Sequence, residues 1–186
     1  MSSRYSSAMP AAPFVDRLND QIGHEFAASQ QYLAIAVHYD DETLPRLAAF
    51  FYAQALEERN HALMMVQYLL DAGEQAPIPA VAGPQNEFAD VVEPVTLALA
   101  QERRVSDQIN QLTATARDAG DYTSEQFMQW FIKEQVEEVA SMNDLLKIVQ
   151  RARDNPLLAE EYLAREAPAD DGSDPTAPPV AGGALQ

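Results

Sequence analysis

The sequence predicts an all-α fold: four long helices in a bundle, one long crossover between the second and third, and a short fifth helix at the C-terminal end. Three observations carry this reading. The twelve prolines leave long free stretches at 14–44, 46–76 and 95–155, and helix interiors exclude proline at a cost of about 3 kcal/mol. Within those stretches apolar residues recur at alternating steps of three and four, while the two-residue alternation of a half-buried strand is absent. The links inside the first and last helix pairs are a few residues long, whereas the middle link takes nineteen.

The first helix, α1, is expected over 14–39 and ends at the polar break Asp40-Asp41-Glu42-Thr43. Helix α2 is expected over 44–72, with Pro45 in its opening turn and Gly73 at its end, the two places where each residue costs least. Helix α3 is placed at 92–119. Asp118-Ala119-Gly120-Asp121 then supplies a terminating glycine and a capping aspartate for α4 at 122–153. Asn155-Pro156 opens the short α5 at 155–165. Gly23 interrupts α1 at a cost of about 1 kcal/mol relative to alanine, and nothing local in the sequence requires it. The domain therefore runs from 14 to 165, after an N-terminal arm at 1–13. Residues 166–186 carry four acids, no bases and much proline, glycine and alanine, the composition of a disordered tail.

Loop lengths set the topology. Short links make α1–α2 and α3–α4 antiparallel hairpins. A 29-residue α2 is about 43 Å long, and the nineteen residues 73–91 can span about 60 Å when extended. The crossover can run the length of the bundle and leave α2 and α3 parallel.

Composition narrows the function. There are no cysteines, which excludes disulfides, iron–sulfur clusters, thiolate zinc sites and a cysteine nucleophile. Twelve Lys and Arg stand against 29 Asp and Glu, a net charge of −17. A field of that sign repels nucleic-acid phosphates and anionic membranes and attracts cations. No apolar run approaches the ~18 residues of a membrane span, and the N-terminus lacks a signal-peptide core; a cytoplasmic location is expected.

Acids interrupt the apolar seams. The α2 seam reads Leu44, Ala48, Phe51, Ala55, Glu58, Ala62, Met65, Leu69, with His61 one turn beyond the glutamate on the same face. The α4 seam reads Phe131, Gln135, Glu138, Met142, Leu145, Val149; that of α3 reads Val95, Leu99, Glu102, Ser106, Ile109. In α1 it is Leu18, Ile22, Glu25, Ser29, Tyr32, Ala36. One seam glutamate is most often an error of helical phase; four, all near helix midpoints, are not. With α2 and α3 inverted, they fall at roughly 16–28 Å above one end, a single layer. Four converging carboxylates in an apolar core are prohibitively costly. A pair of divalent cations resolves the conflict, and carboxylates with one imidazole suit iron or manganese. His24 and His38 fall off the seam and read as surface or boundary residues; Trp130, Met64 and Met65 read as packing.

Residues 14–165 resemble a ferritin subunit through HEFAASQQY (24–32), ALEERNHA (55–62), ALAQERR (98–104) and QFMQWFIKEQVEEVA (126–140). The resemblance implies a ferritin-like four-helix bundle with a ferroxidase centre. One iron would lie at Glu25, Glu58 and His61, and a second between Glu58, Glu102 and Glu138, with Gln135 adjacent. Tyr32 matches the tyrosine beside that centre. Glu57, Glu134 and Glu137 match the ligands of a third iron in bacterial non-haem ferritins. Bacterioferritin is the poorer match: Glu58 is followed by Arg59 where a haem-ligating methionine is expected, and α4 carries Gln135-x-x-Glu138 instead of Glu-x-x-His. No haem is expected. The resemblance further implies oxidation of Fe(II) by O₂ or peroxide, storage of Fe(III) as a hydrated oxide, and a homo-oligomeric cage of 24 subunits with octahedral symmetry. Two other functions fit the seams: a soluble di-metal carboxylate oxidase or peroxidase that stores nothing, and a metal-free helical scaffold.

Overall fold

The computed structural model describes residues 9–166 and 174–183. Five helices follow in order, α1 Ala12–Asp41, α2 Pro45–Asp71, α3 Glu93–Asp118, α4 Tyr122–Arg151 and α5 Leu157–Glu166. All five expected elements are present, with ends displaced by two residues at most. Pro13 lies within the first turn of α1, where its missing N–H is no loss, so α1 starts before the expected boundary. Part of the expected arm, residues 1–8, falls outside the described residues.

Three helix ends share one hydrogen-bond pattern. After α1, Leu44 N–H donates to Tyr39 and Thr43 N–H to Asp40; after α2, Glu74 donates to Leu69 and Gly73 to Leu70; after α3, Asp121 donates to Ala116 and Gly120 to Arg117. The pattern places the residue just past the helix in the left-handed region. Gly73 and Gly120 occupy it at φ 79° and 70°, and Thr43 at φ 61°. Thr43 is β-branched, so it bears a steric cost there that glycine does not.

The crossover is a strap laid along α1. Asn19 Nδ2 donates to Gln75 O at 3.3 Å, and Tyr39 OH donates to Val91 O at 2.7 Å. Between them Gln31 pairs doubly with the backbone of Gln85, Nε2 to O and N to Oε1, both at 2.9 Å. The strap thus climbs from the N-terminal to the C-terminal part of α1. Helices α2 and α3 both begin near the α1 C-terminus and run parallel, as loop arithmetic predicts. The strap also explains Gly23: a Cβ there would stand 3.1 Å from Pro79 Cγ, tighter than ordinary van der Waals contact.

Two tertiary contacts finish the helix ends. Glu160 of α5 accepts from Arg46 N–H at 2.8 Å and Leu47 N–H at 2.9 Å, capping an α2 that has no side-chain cap of its own. Asp121 caps α4 as expected, accepting from Ser124 N–H at 3.0 Å, and also accepts from Ala11 N–H at 2.9 Å. That second bond ties the start of α1 to the start of α4.

The core falls into two apolar clusters. One is built around Tyr32, Tyr39, Leu47, Phe51, Val95, Leu145 and Val149. The other centres on Phe14, Leu18, Ile22, Met65, Leu69, Ile109, Met128 and Phe131. Along α2 the first ends at Ala55 and the second begins at Ala62; along α3 they are divided between Leu99 and Val105. Glu58 and Glu102 occupy those gaps.

Replacing Thr43 by glycine should raise stability by about 0.5–1 kcal/mol, the relief of left-handed strain less the added chain entropy of glycine. Chemical denaturation of both proteins measures this. A destabilised T43G protein would show that the threonine side chain makes a compensating contact.

Candidate metal centre

The four seam positions converge as the helical periodicity requires. Glu25 of α1, Glu58 and His61 of α2, Glu102 of α3, and Gln135 and Glu138 of α4 are all buried, Glu102 completely. Carboxylate oxygens of Glu25 and Glu58 and a ring nitrogen of His61 lie within 4.8 Å of one another. His61 Nδ1 stands 3.5 Å from Glu58 Oε2, the i, i+3 relation of adjacent helical turns. Glu102 and Glu138 stay outside this tight set and face it from the other hairpin.

Their polar neighbours are distributed unevenly. Tyr32 OH donates to Glu102 Oε1, and Gln135 Nε2 approaches Glu102 Oε2 at 3.4 Å. Gln135 is itself held by Ser106 Oγ, which donates to its Oε1 at 2.9 Å. Gln21 Nε2 donates to Glu25 Oε1 at 2.8 Å. Both oxygens of Glu58, Oε2 of Glu25 and Oε2 of Glu138 have no hydrogen-bond partner. Buried carboxylate oxygens without donors are expensive. Those of Glu25 and Glu58, gathered with one imidazole, are hard ligands that could hold a divalent cation.

Electrostatics agree. Burial and then the nearby Glu58 charge raise Glu25 well above the ordinary carboxylate range. Burial and Glu102 do the same to Glu58. Glu102 is raised by burial, against the pull of the Tyr32 hydroxyl. Glu138 is pushed up to about 9 by burial, Glu57 and Glu102. The Tyr32 phenol is driven upward by burial and by the Glu102 charge, so it stays protonated and serves as a donor.

A second group adjoins the first through a shared residue. Donor atoms of Glu57, His61 and Glu134 also lie within 4.8 Å of one another. Gln54 Nε2 donates to Glu57 Oε2 at 2.7 Å. Glu137, expected beside Glu57 and Glu134, is turned elsewhere: its side chain is 64% exposed and lies 3.7 Å from Lys133 Nζ. At 100° per residue Glu137 diverges from the inward-facing Glu138, and His61 takes its place in the group.

This second group opens on a cavity of about 650 Å³. Asn60, Met64 and Trp130 complete its helical wall, and its other wall is the segment from Asp174 to Gly183. Composition predicts disorder there; residues 174–183 instead lie on α2 and α4. Asp174 accepts from Trp130 Nε1 at 3.0 Å and faces Lys133 Nζ at 3.5 Å, and Ala181 N–H donates to Leu63 O at 3.2 Å. Ala177, Val180 and Ala181 pack on the cluster that contains Phe131. Three small apolar residues and one aspartate suffice to dock a segment without helical periodicity. The remaining tail, 167–173 and 184–186, lies outside the described residues.

Sequence reasoning missed Gln21 and Gln54. Each precedes its glutamate by one helical turn, Gln21 four residues before Glu25 and Gln54 three before Glu57, and that spacing was the available signal. His24 is exposed and His38 half-buried against Phe88, both off the layer as expected.

Comparison with known proteins agrees with this geometry. The family described as "Ferritin-like domain" matches residues 15–152. "Ferritin BfrB" of Mycolicibacterium smegmatis is 56% identical over 168 residues, covering 90% of this chain and 92% of that protein. "Bacterial non-heme ferritin" of Staphylococcus saprophyticus is 36% identical, covering 81% and 93%. Among solved structures, an open pore ferritin from Archaeoglobus fulgidus aligns with a TM-score of 0.79 at 27% identity, covering 83% of this chain and 97% of that one.

The raised carboxyls make a pH prediction. A group whose folded pKa exceeds its unfolded value stabilises fully below the unfolded pKa and loses that contribution as pH rises through the folded one. For Glu138 the window runs from about 4.5 to about 9, worth on the order of 3 kcal/mol by pH 7. The thermal midpoint of metal-free protein should fall between pH 5 and pH 9, and Glu138→Gln should flatten that fall. A wild-type midpoint that held constant across the window would contradict it.

Proposed function

The chain belongs to the ferritin family, and on that footing we propose that it oxidises Fe(II) at the Glu25–Glu58–His61–Glu102–Glu138 layer and stores the product as a hydrated ferric oxide inside a 24-subunit cage with octahedral symmetry. The observation that carries the reading is the set of four partnerless carboxylate oxygens on Glu25, Glu58 and Glu138, which metal cations would compensate. Iron is the substrate. The first Fe(II) takes Glu25, Glu58 and His61; the second takes the far oxygen of Glu58 with Glu102 and Glu138.

Each side chain has a separate task. The glutamates exchange their protons for metal on binding, which neutralises the layer. Glu58 holds the two ions at one spacing. Tyr32 and Gln135 fix the Glu102 carboxylate, and Gln21 fixes Glu25. Electrons pass from the iron pair to O₂ or peroxide. Carboxylates hold Fe(III) by charge without the grip of thiolates, so the product can move on through the Glu57–His61–Glu134 group, the proposed third iron site, into the adjoining cavity. No haem enters this reading, since exposed Arg59 stands where a haem-ligating methionine would be needed.

The cage follows from the cargo: one bundle cannot enclose a mineral. Twenty-four chains at −17 each carry about −400 before counterions, a field that concentrates cations. No helix among the described residues is long and apolar enough to cross a membrane, and the proposed location is the cytoplasm.

Glu58→Ala with His61→Ala should slow initial Fe(II) oxidation about a hundredfold or more, the scale on which metal sites respond to lost supporting groups, while particle mass stays unchanged. Stopped-flow absorbance of the ferric product measures the rate; wild-type rates would refute the assignment. Native mass should be about 490 kDa, twenty-four times the 20.5 kDa chain, and iron should accompany it. A particle of one or two chains that still oxidised iron would point instead to the oxidase without storage. Glu134→Ala should preserve the first fast phase and slow the later transfer of iron to the mineral. Loss of the fast phase itself would merge the two groups into one centre.

A further inference from the structure

A second cavity adjoins the glutamate layer, apart from the acidic one between α2 and α4. It measures about 380 Å³, lies between α3 and α4, and is walled by Ile109, Ile132, Val136 and Val139. Its polar lining is Ser106, Asn110 and Gln135, and no ionisable residue takes part. Val139 packs on one apolar cluster, Ile109 and Ile132 on the other, so the cavity stands at the level of the layer. Val136 is 69% exposed and marks its mouth.

Gln135 closes the inner end. It is mostly buried yet lines the cavity, and its Nε2 stands 3.4 Å from Oε2 of the wholly buried Glu102. That contact is long for an N–H···O bond. The other end of the amide accepts from Ser106 Oγ, which also faces the Glu102 backbone carbonyl, both at 2.9 Å. A serine hydroxyl has one proton to give, so neither acceptor has it to itself. The Gln135 amide is therefore loosely held, whereas the Tyr32 hydroxyl holds the other Glu102 oxygen. A turn of the Gln135 side chain opens the cavity onto Glu102 and leaves that carboxylate in place.

The two cavities differ in what they admit. The α2–α4 cavity is lined by Glu57, Glu134 and Asp174 and draws cations. The α3–α4 cavity offers a cation no carboxylate, and stripping an ion of water there is costly. A small apolar molecule meets the reverse balance, because leaving water for apolar walls is favourable. We propose that the α3–α4 cavity is the binding site and entry route of dioxygen, with Gln135 as its inner door. This rests on the proposed oxidation of Fe(II) and names the oxidant and its path. Iron and oxidant then reach the layer from different faces, and neither has to pass the other.

Xenon, an apolar gas that fills dry cavities, probes the site without iron. Crystals of the metal-free, full-length protein under xenon pressure should hold xenon between Ile109, Ile132 and Val139. No xenon there would overturn the proposal. Kinetics supply the second arm. Val139→Trp should raise the dioxygen concentration that half-saturates Fe(II) oxidation about tenfold and leave the rate at saturating dioxygen unchanged. Val136→Trp, at the exposed mouth where the core is not burdened, should shift it in the same direction. Anaerobic cobalt(II) binding, followed by its visible absorption, should match wild type in both variants. If wild-type protein oxidises iron and both variants keep its dioxygen dependence, the route is wrong and the ferroxidase reading stands. A rise matched by equally weakened cobalt binding would also overturn the route, since the cavity would then serve only the shape of the layer. Wild-type protein that oxidised no Fe(II) would overturn both.

Discussion

Burying an uncompensated carboxylate costs several kcal/mol, and this chain buries four glutamates at one level, three of them with oxygens that lack a partner. The remaining architecture is arranged around that cost. Two apolar clusters sit on either side of the layer; each is large enough to hold the four helices together when the layer between them opposes folding. The clusters act as clamps. A bundle with a single continuous apolar core would be more stable without metal and would have no place for one. Because stability and site lie on the same four seams, every helix contributes to both, and none can shift by a turn without moving a glutamate out of the layer.

Contacts distant from the layer hold that register. The strap fixes its height along α1 through Asn19, Gln31 and Tyr39, and Pro79 rests against the bare backbone of Gly23. Glu160 seals the start of α2 from α5, and Asp121 joins the starts of α1 and α4. The hydrogen bonds among these contacts satisfy backbone or side-chain groups that would otherwise face solvent or stay unpaired. Their combined effect is positional. A site built on four separate helices needs its helices fixed relative to one another more than it needs any one of them rigid.

The long-period features of this chain were readable in the sequence, and the contacts between remote segments were not. Helix extents followed from proline exclusion, and the glutamate layer followed from seam phase, because both are properties of a single helix. The parallel α2 and α3 followed from the length of the crossover. Gly23 stayed unexplained, since its reason, Pro79, is 56 residues away along the chain. Glu160 gave no sign of being a cap: nothing about a glutamate in a short helix announces which helix start it will meet. Residues 174–183 were misjudged for a related reason. Proline, glycine and alanine are poor in local structure, but docking needs only a fitting surface, which Trp130 and Leu63 provide. Glu137 shows the limit of matching by spacing, because Lys133 and solvent claim it while His61 serves both groups.

His61 is where the two groups meet, and the sharing has a consequence for direction. On one side of it stand Glu25 and Glu58, fully buried and short of donors; on the other stand Glu57 and Glu134, half-buried and opening on the cavity. In the proposed function a divalent ion enters the buried set by displacing protons that burial holds on the carboxyls, so binding there is coupled to pH. A trivalent product has a larger hydration energy and gains more from partial exposure. The Glu57–Glu134 side offers carboxylate charge together with access to water. In the proposed function, oxidation therefore changes which side of His61 the ion prefers. Burial sets the direction of travel, and no moving part is required. Glu134 itself is raised by burial and by Glu57 and Glu137, so its carboxyl also gains from a cation arriving beside it.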